Sequence, residues 1–93
     1  MLIGESANKR VVEGIRKLAQ DFEDIDRVHE LLTMHVGPDS VLVTISVKFL
    51  NESRAEDIES TIARLDTAIK RNFRAVKRVF VEAEARADEA TIS

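Results

Sequence analysis

The sequence predicts an α+β fold: a two-layer sandwich in the order α-β-β-α-β, with two helices on one face of a three-stranded mixed sheet. Three observations carry this. Arg27 to Phe49 alternates apolar and polar residues on either side of Gly37-Pro38-Asp39-Ser40, as two half-buried strands joined by a hairpin loop would. Residues 7–20 and 53–72 carry apolar side chains at helical spacing, and Val76 to Glu84 is a further strand rich in β-branched valine. A sheet with one apolar face buries it most economically beneath the helices.

The first helix is expected over Ala7 to Gln20, with Val11, Val12, Ile15 and Leu18 on its apolar stripe and Ser6 or Asn8 as its cap. The acidic stretch Asp21 to Asp26 connects it to the first strand. Pairing the strands across the loop sets Val36 opposite Val41, Met34 opposite Val43, Leu32 opposite Ile45 and Val28 opposite Phe49 as the apolar face. In that register His29 and His35 share the other face, and Glu30 falls on the apolar side, which requires a bulge or an escape at the sheet edge. Ser53-Arg54-Ala55-Glu56 reads as a capping box opening the second helix, whose stripe is Ile58, Ile62, Leu65 and Ile69. A right-handed crossover then makes the third strand parallel to the second strand's neighbour or to the second strand itself, and compactness favours a place beside the first. Leu31, Leu42 and Phe80 are left on the uncovered face, an apolar patch that favours a homodimer or a docking surface. The domain is expected over residues 1–85, with a flexible tail at 86–93.

A chain of 93 residues is one domain and buries about 60 to 65% of its unfolded surface, a core that is sufficient without being generous. The formal net charge of −3 gives no overall field toward nucleic acid or anionic lipid, so nucleic acid is not an expected partner. The absence of cysteine removes disulfides, zinc-thiolate sites and thiol chemistry, and fits a cytoplasmic location. No apolar run approaches the roughly 20 residues that cross a bilayer, so direct membrane insertion is not expected. Catalysis has no support: there is no glycine-rich phosphate loop, no HExxH and no recognisable nucleophile turn, and the chain is not expected to be an enzyme.

Three segments, LIGESA, VHELLTMHVGPDSVLVTISVKF and VKRVFVEAEA, closely resemble the cytoplasmic C-terminal domain of cation diffusion facilitator transporters, in order and spacing and over nearly the whole chain. The resemblance implies a metallochaperone-like, ferredoxin-like fold that pairs as a V-shaped homodimer, with metal between the protomers tightening the pair. LIGESA is similar to the segment just beyond the last membrane helix and here follows Met1, which implies a chain that does not transport by itself: a stand-alone relative, or a fragment of a membrane metal transporter.

In zinc-exporting members the regulatory metal is held by a histidine early in the first strand, a histidine in the second, and a histidine and an acid near the end of the last. By that resemblance His29 matches the first ligand and Glu84 the last acid, with Glu82 at the expected histidine position and Ser46, a poor ligand, near the second-strand position. His29, Glu82 and Glu84 make a nitrogen and oxygen donor set suited to a divalent transition metal, zinc foremost, with manganese and iron(II) as alternatives. The bland reading stands beside it: His29 as an interface residue, Glu82 and Glu84 as solvated strand positions, and His35 hydrogen-bonded across the loop to Asp39. Two functions follow, a metal-sensing dimer domain and a metal-independent dimerisation or docking module. A small-molecule regulatory domain is weaker, because no glycine-rich loop follows the first strand.

Overall fold

The computed structural model describes residues 2–84, with side chains from residue 9 onward; the tail expected at 86–93 lies outside the described residues. Helix α1 spans Leu2–Gln20, strand β1 Ile25–Gly37, strand β2 Ser40–Phe49, helix α2 Ala55–Asn72 and strand β3 Val76–Ala83. The order and the mixed three-stranded sheet are those the sequence predicts. Helix α1 starts five residues earlier than expected, so Ser6 and Asn8 stand within it and do not cap it.

Helix α2 begins one residue after the expected point. The Arg54 backbone N–H donates to Asp57 Oδ2 at 3.3 Å, so Asp57, in place of Glu56, closes the first turn. Its buried line is Thr61, Leu65 and Ile69, four residues apart, with Ile58 and Ile62 partly buried beside it. Ile15 and Ala19 of α1 join these residues over Val43, Ile45 and Val47 of β2, none of which retains exposed surface. These side chains form one core between the helices and the sheet.

The sheet order is β1-β2-β3, with β2 antiparallel to β1 and parallel to β3. The third strand therefore lies beside the second and not beside the first. Helix α2 returns the chain to the free edge of β2, whose backbone groups there would otherwise be unpaired. Val41 N–H donates to Ala75 O at 2.8 Å and Glu84 N–H to Val47 O at 2.8 Å, tying β3 down at both ends.

The hairpin register also differs from expectation. Gly37 does oppose Ser40, but a shift between His35 and Gly37 moves the whole strand by one, pairing His35 with Val41, Met34 with Leu42, Thr33 with Val43, Leu32 with Thr44 and Leu31 with Ile45. Because the side-chain period is two, this step exchanges the faces: Leu31 is buried, whereas Leu32, Met34 and Val36 are exposed. Two further irregularities, between Val28 and Glu30 and between Ile25 and Arg27, space the buried residues Ile25, Val28 and Leu31 by three. The misfit of Glu30 is thus a bulge.

The face of the sheet away from the helices is ordered in rows. Met34, Leu42 and Arg78 form one, Leu32, Thr44 and Phe80 the next, and Glu30, Ser46 and Glu82 the third. Apolar side chains hold the middle of this open face: Leu32 is 56% exposed and Phe80 51%. Leu31 is absent from it, a further correction to the expected patch.

Candidate metal centre

The acidic end of the open face is built by the bulge in β1. His29 is the extra residue between Val28, which pairs with Val47, and Glu30, which pairs with Ser46. Released from the alternation, its ring reaches the end of β3, where His29 Nδ1 lies 3.1 Å from Glu84 Oε2. Glu84 shares the parity of Glu82 along β3, and Ser46 stands between the strands on the same face. Ser46 Oγ donates to Glu82 Oε1 at 3.1 Å and is itself buried.

His29, Glu82 and Glu84 are therefore brought to one end of one face from opposite edges of the sheet. Their side chains are engaged in two separate contacts, and among the described residues no group of three or more histidines and carboxylates is arranged to hold an ion. One chain supplies a His29–Glu84 pair with Glu82 turned onto Ser46. The chemistry fits a borderline divalent metal: with the Glu84 carboxylate beside Nδ1, a neutral imidazole that carries its proton there keeps on Nε2 the lone pair that binds metal. The His29 side chain is 59% exposed, so that nitrogen is open to a further ligand from outside the chain.

His35 does not belong to this site, and the two histidines do not share a face. His35 opposes Val41, which is buried against the helices, so the ring lies on the helix side at the hairpin tip and is exposed. No hydrogen bond joins it to Asp39 among the described residues, so that expected contact is not made.

A second polar feature escaped the sequence. At the opposite side of the core, Thr61 Oγ1 donates to Asp24 Oδ2 at 3.1 Å from a position 1% exposed, and the Arg64 guanidinium lies 5.4 Å from the Phe22 ring centroid. These residues line a cleft of about 540 Å³ with Leu18, Asp21, Glu23 and Ala68. The signal was available, since Thr61 lies four residues before Leu65 on the line that continues to Ile69.

The sandwich, its strand order and its open face define a small α+β domain of the metallochaperone-like class. Solved structures of the MamM C-terminal domain, a cytoplasmic domain of the cation diffusion facilitator family, share it. A histidine-to-glutamate variant of that domain is 22% identical over 87% of this chain and 98% of its own, with a TM-score of 0.79. The nickel form of an aspartate-to-asparagine variant is 20% identical over 84% and 98%, with a TM-score of 0.76. A double alanine variant is 21% identical over 87% and 96%, with a TM-score of 0.79. No protein-family model matches the chain, and no curated protein matches it. At this identity the likeness is one of fold.

Proposed function

We propose that this chain is a cytoplasmic regulatory and dimerisation domain of the cation diffusion facilitator type, binding a divalent transition metal between two copies and passing that occupancy to a membrane metal transporter. The observation that carries the reading is the His29–Glu84 pair, 3.1 Å apart and formed across β2 by a bulge. Glu84 orients the ring, His29 Nε2 is the nitrogen ligand, and Glu82 joins when it leaves Ser46. His29 Nε2 and Glu82 are two donors, too few for a closed tetrahedral site, so water or the second copy completes it. The fold adds support, because single-substitution variants of the MamM domain are solved in nickel, copper, cadmium and manganese forms. Zinc suits the same donors.

In this reading the exposed apolar rows containing Leu32, Met34 and Phe80 pair in the dimer, and one ion bridges the two His29 ends; the exposure of those rows supports it. Bridging stabilises the closed pair through the ion's greater affinity for that arrangement. No transport and no catalysis are assigned to these residues. A second reading, a metal-independent docking module, is favoured by one contact: the Ser46 hydroxyl on Glu82 satisfies the carboxylate without metal.

Calorimetric titration of metal-stripped protein with zinc, nickel and manganese, followed by small-angle scattering, decides between them. The metal reading expects saturable binding and a more compact dimer. Absence of binding at tens of micromolar, a range in which binding to protein is already worth about 6 kcal/mol, leaves the docking module.

A further inference from the structure

We propose that the hairpin-loop end of the domain is a docking surface for an anionic phospholipid membrane, an inference independent of the metal reading. The net charge of −3 conceals a separation of charge along the fold. Between Asp66 and Glu82 there is no acid, while Lys70, Arg71, Arg74, Lys77 and Arg78 all fall in that interval. All five are exposed. Lys70 is paired with Asp66 at 3.0 Å, but Arg71, Arg74, Lys77 and Arg78 make no ion pair among the described residues.

Three elements bring these cations to one end. Arg71 is in the last turn of α2, Arg74 is in the turn that follows, and Lys77 and Arg78 open β3, which starts beside Val41 just after the hairpin loop. Helix α1 adds to them: a Cβ on Gly14 would stand 2.5 Å from Phe73 Cζ, so α1 passes directly over this turn, and the exposed Arg10 lies one helical turn before Gly14 on the same face. Asp39 in the loop and Glu13 on α1 are the opposing acids here. The excess of negative charge sits at the other end, in Asp21, Glu23, Asp24, Asp26 and Glu52, whose two loops are joined by Leu50 N–H to Asp24 O at 2.9 Å.

The arrangement fits a diffuse anionic surface. The clefts lined by Phe22 and by Lys48 lie at the acidic end, and the cations are spread over separate elements, as a plane of headgroups requires. The ring within the patch, Phe73, is half-buried against Gly14, which removes it from the base stacking that single-stranded nucleic acid uses.

The test is co-sedimentation of the whole chain with vesicles of phosphatidylcholine alone and with about 30% phosphatidylserine, at low salt and at several times physiological salt. Binding is expected only to the anionic vesicles and only at low salt. Each cation near such a surface is worth about fivefold in partitioning, so Arg71→Gln, Arg74→Gln and Lys77→Gln together should reduce binding more than tenfold, about a hundredfold if all three contact the plane. Arg71→Lys with Arg74→Lys keeps the charge and should keep the binding, which separates charge from any loss of folding. Equal binding to both vesicles, no binding to the anionic ones, or full binding by the triple variant overturns the proposal. So does tighter binding to a single-stranded oligonucleotide, which would make the patch a nucleic-acid surface.

Discussion

Replacing Leu31 and Leu32 one at a time by alanine tests the sheet register on which the site depends. Leu31 is 9% exposed and opposes Ile45 in the core, whereas Leu32 is 56% exposed and opposes Thr44 on the open face. Leucine to alanine removes three carbons at about 0.8 kcal/mol per buried methylene, and a cavity in a rigid core adds to the loss. For Leu31, about nine-tenths buried, the cost is about 3 kcal/mol; for Leu32, already half in water, it is about 1 kcal/mol. With a urea slope of about 1 kcal/mol/M for so small a domain, the midpoints fall by about 3 M and 1 M. The unfolding curves should be taken over a range of protein concentrations, because pairing through the open face would bury Leu32 and make its cost concentration-dependent. If Leu32→Ala costs more than Leu31→Ala at the lowest concentration, the strand is in the register read directly from the loop. His29 would then stand in regular alternation, without the bulge that brings it to Glu84, and the candidate site would dissolve with it.

Ile45→Ala should cost on the order of 3 to 5 kcal/mol and Ile62→Ala only about 1 to 2, since Ile45 has no exposed surface and Ile62 is partly buried; equal costs in thermal unfolding would mean the helices cover the sheet differently. Thr61→Val keeps the shape and removes the hydrogen bond to Asp24, so a loss of about 1 to 2 kcal/mol in denaturant is expected, and a gain in stability would show that the contact is not made in solution. Light scattering should find a dimer without metal and a monomer for Phe80→Glu, because a carboxylate within the apolar rows is desolvated by pairing; a dimer that survives this change uses another surface.

The elements were legible because each has its own period. The i, i+4 stripes of the helices, the glycine-proline loop and the valine-rich last strand are local signals, and they fixed the fold class. Register was not local. Leu32, Met34 and Val36 alternate as cleanly as any core strand, yet they face outward, and the buried residues Ile25, Val28 and Leu31 recur every third position because two bulges intervene. That spacing belongs to neither a strand nor a helix, so alternation counted back from the loop settles on the wrong parity; Glu30 was its visible flaw. The place of β3 was legible in β2 itself, where Val41, Leu42, Val43, Ile45 and Val47 make a strand too apolar to form an edge. The candidate site residues came from the family resemblance, and their meeting rests on the His29 bulge, which depends on how the entire hairpin pairs.

The central claim is that His29, held by Glu84, carries the metal, and the most direct measurement is a parallel zinc titration of the native protein, His29→Ala and His35→Ala, each metal-stripped and each checked for unchanged unfolding. His29 is on the open face and His35 on the helix side of the sheet at the far end of β1, so they cannot serve one ion within one chain. Loss of one of so few ligands should weaken binding by about a hundredfold or more in His29→Ala, against less than about twofold in His35→Ala. Equal weakening by both, or binding undisturbed by either, would contradict the account.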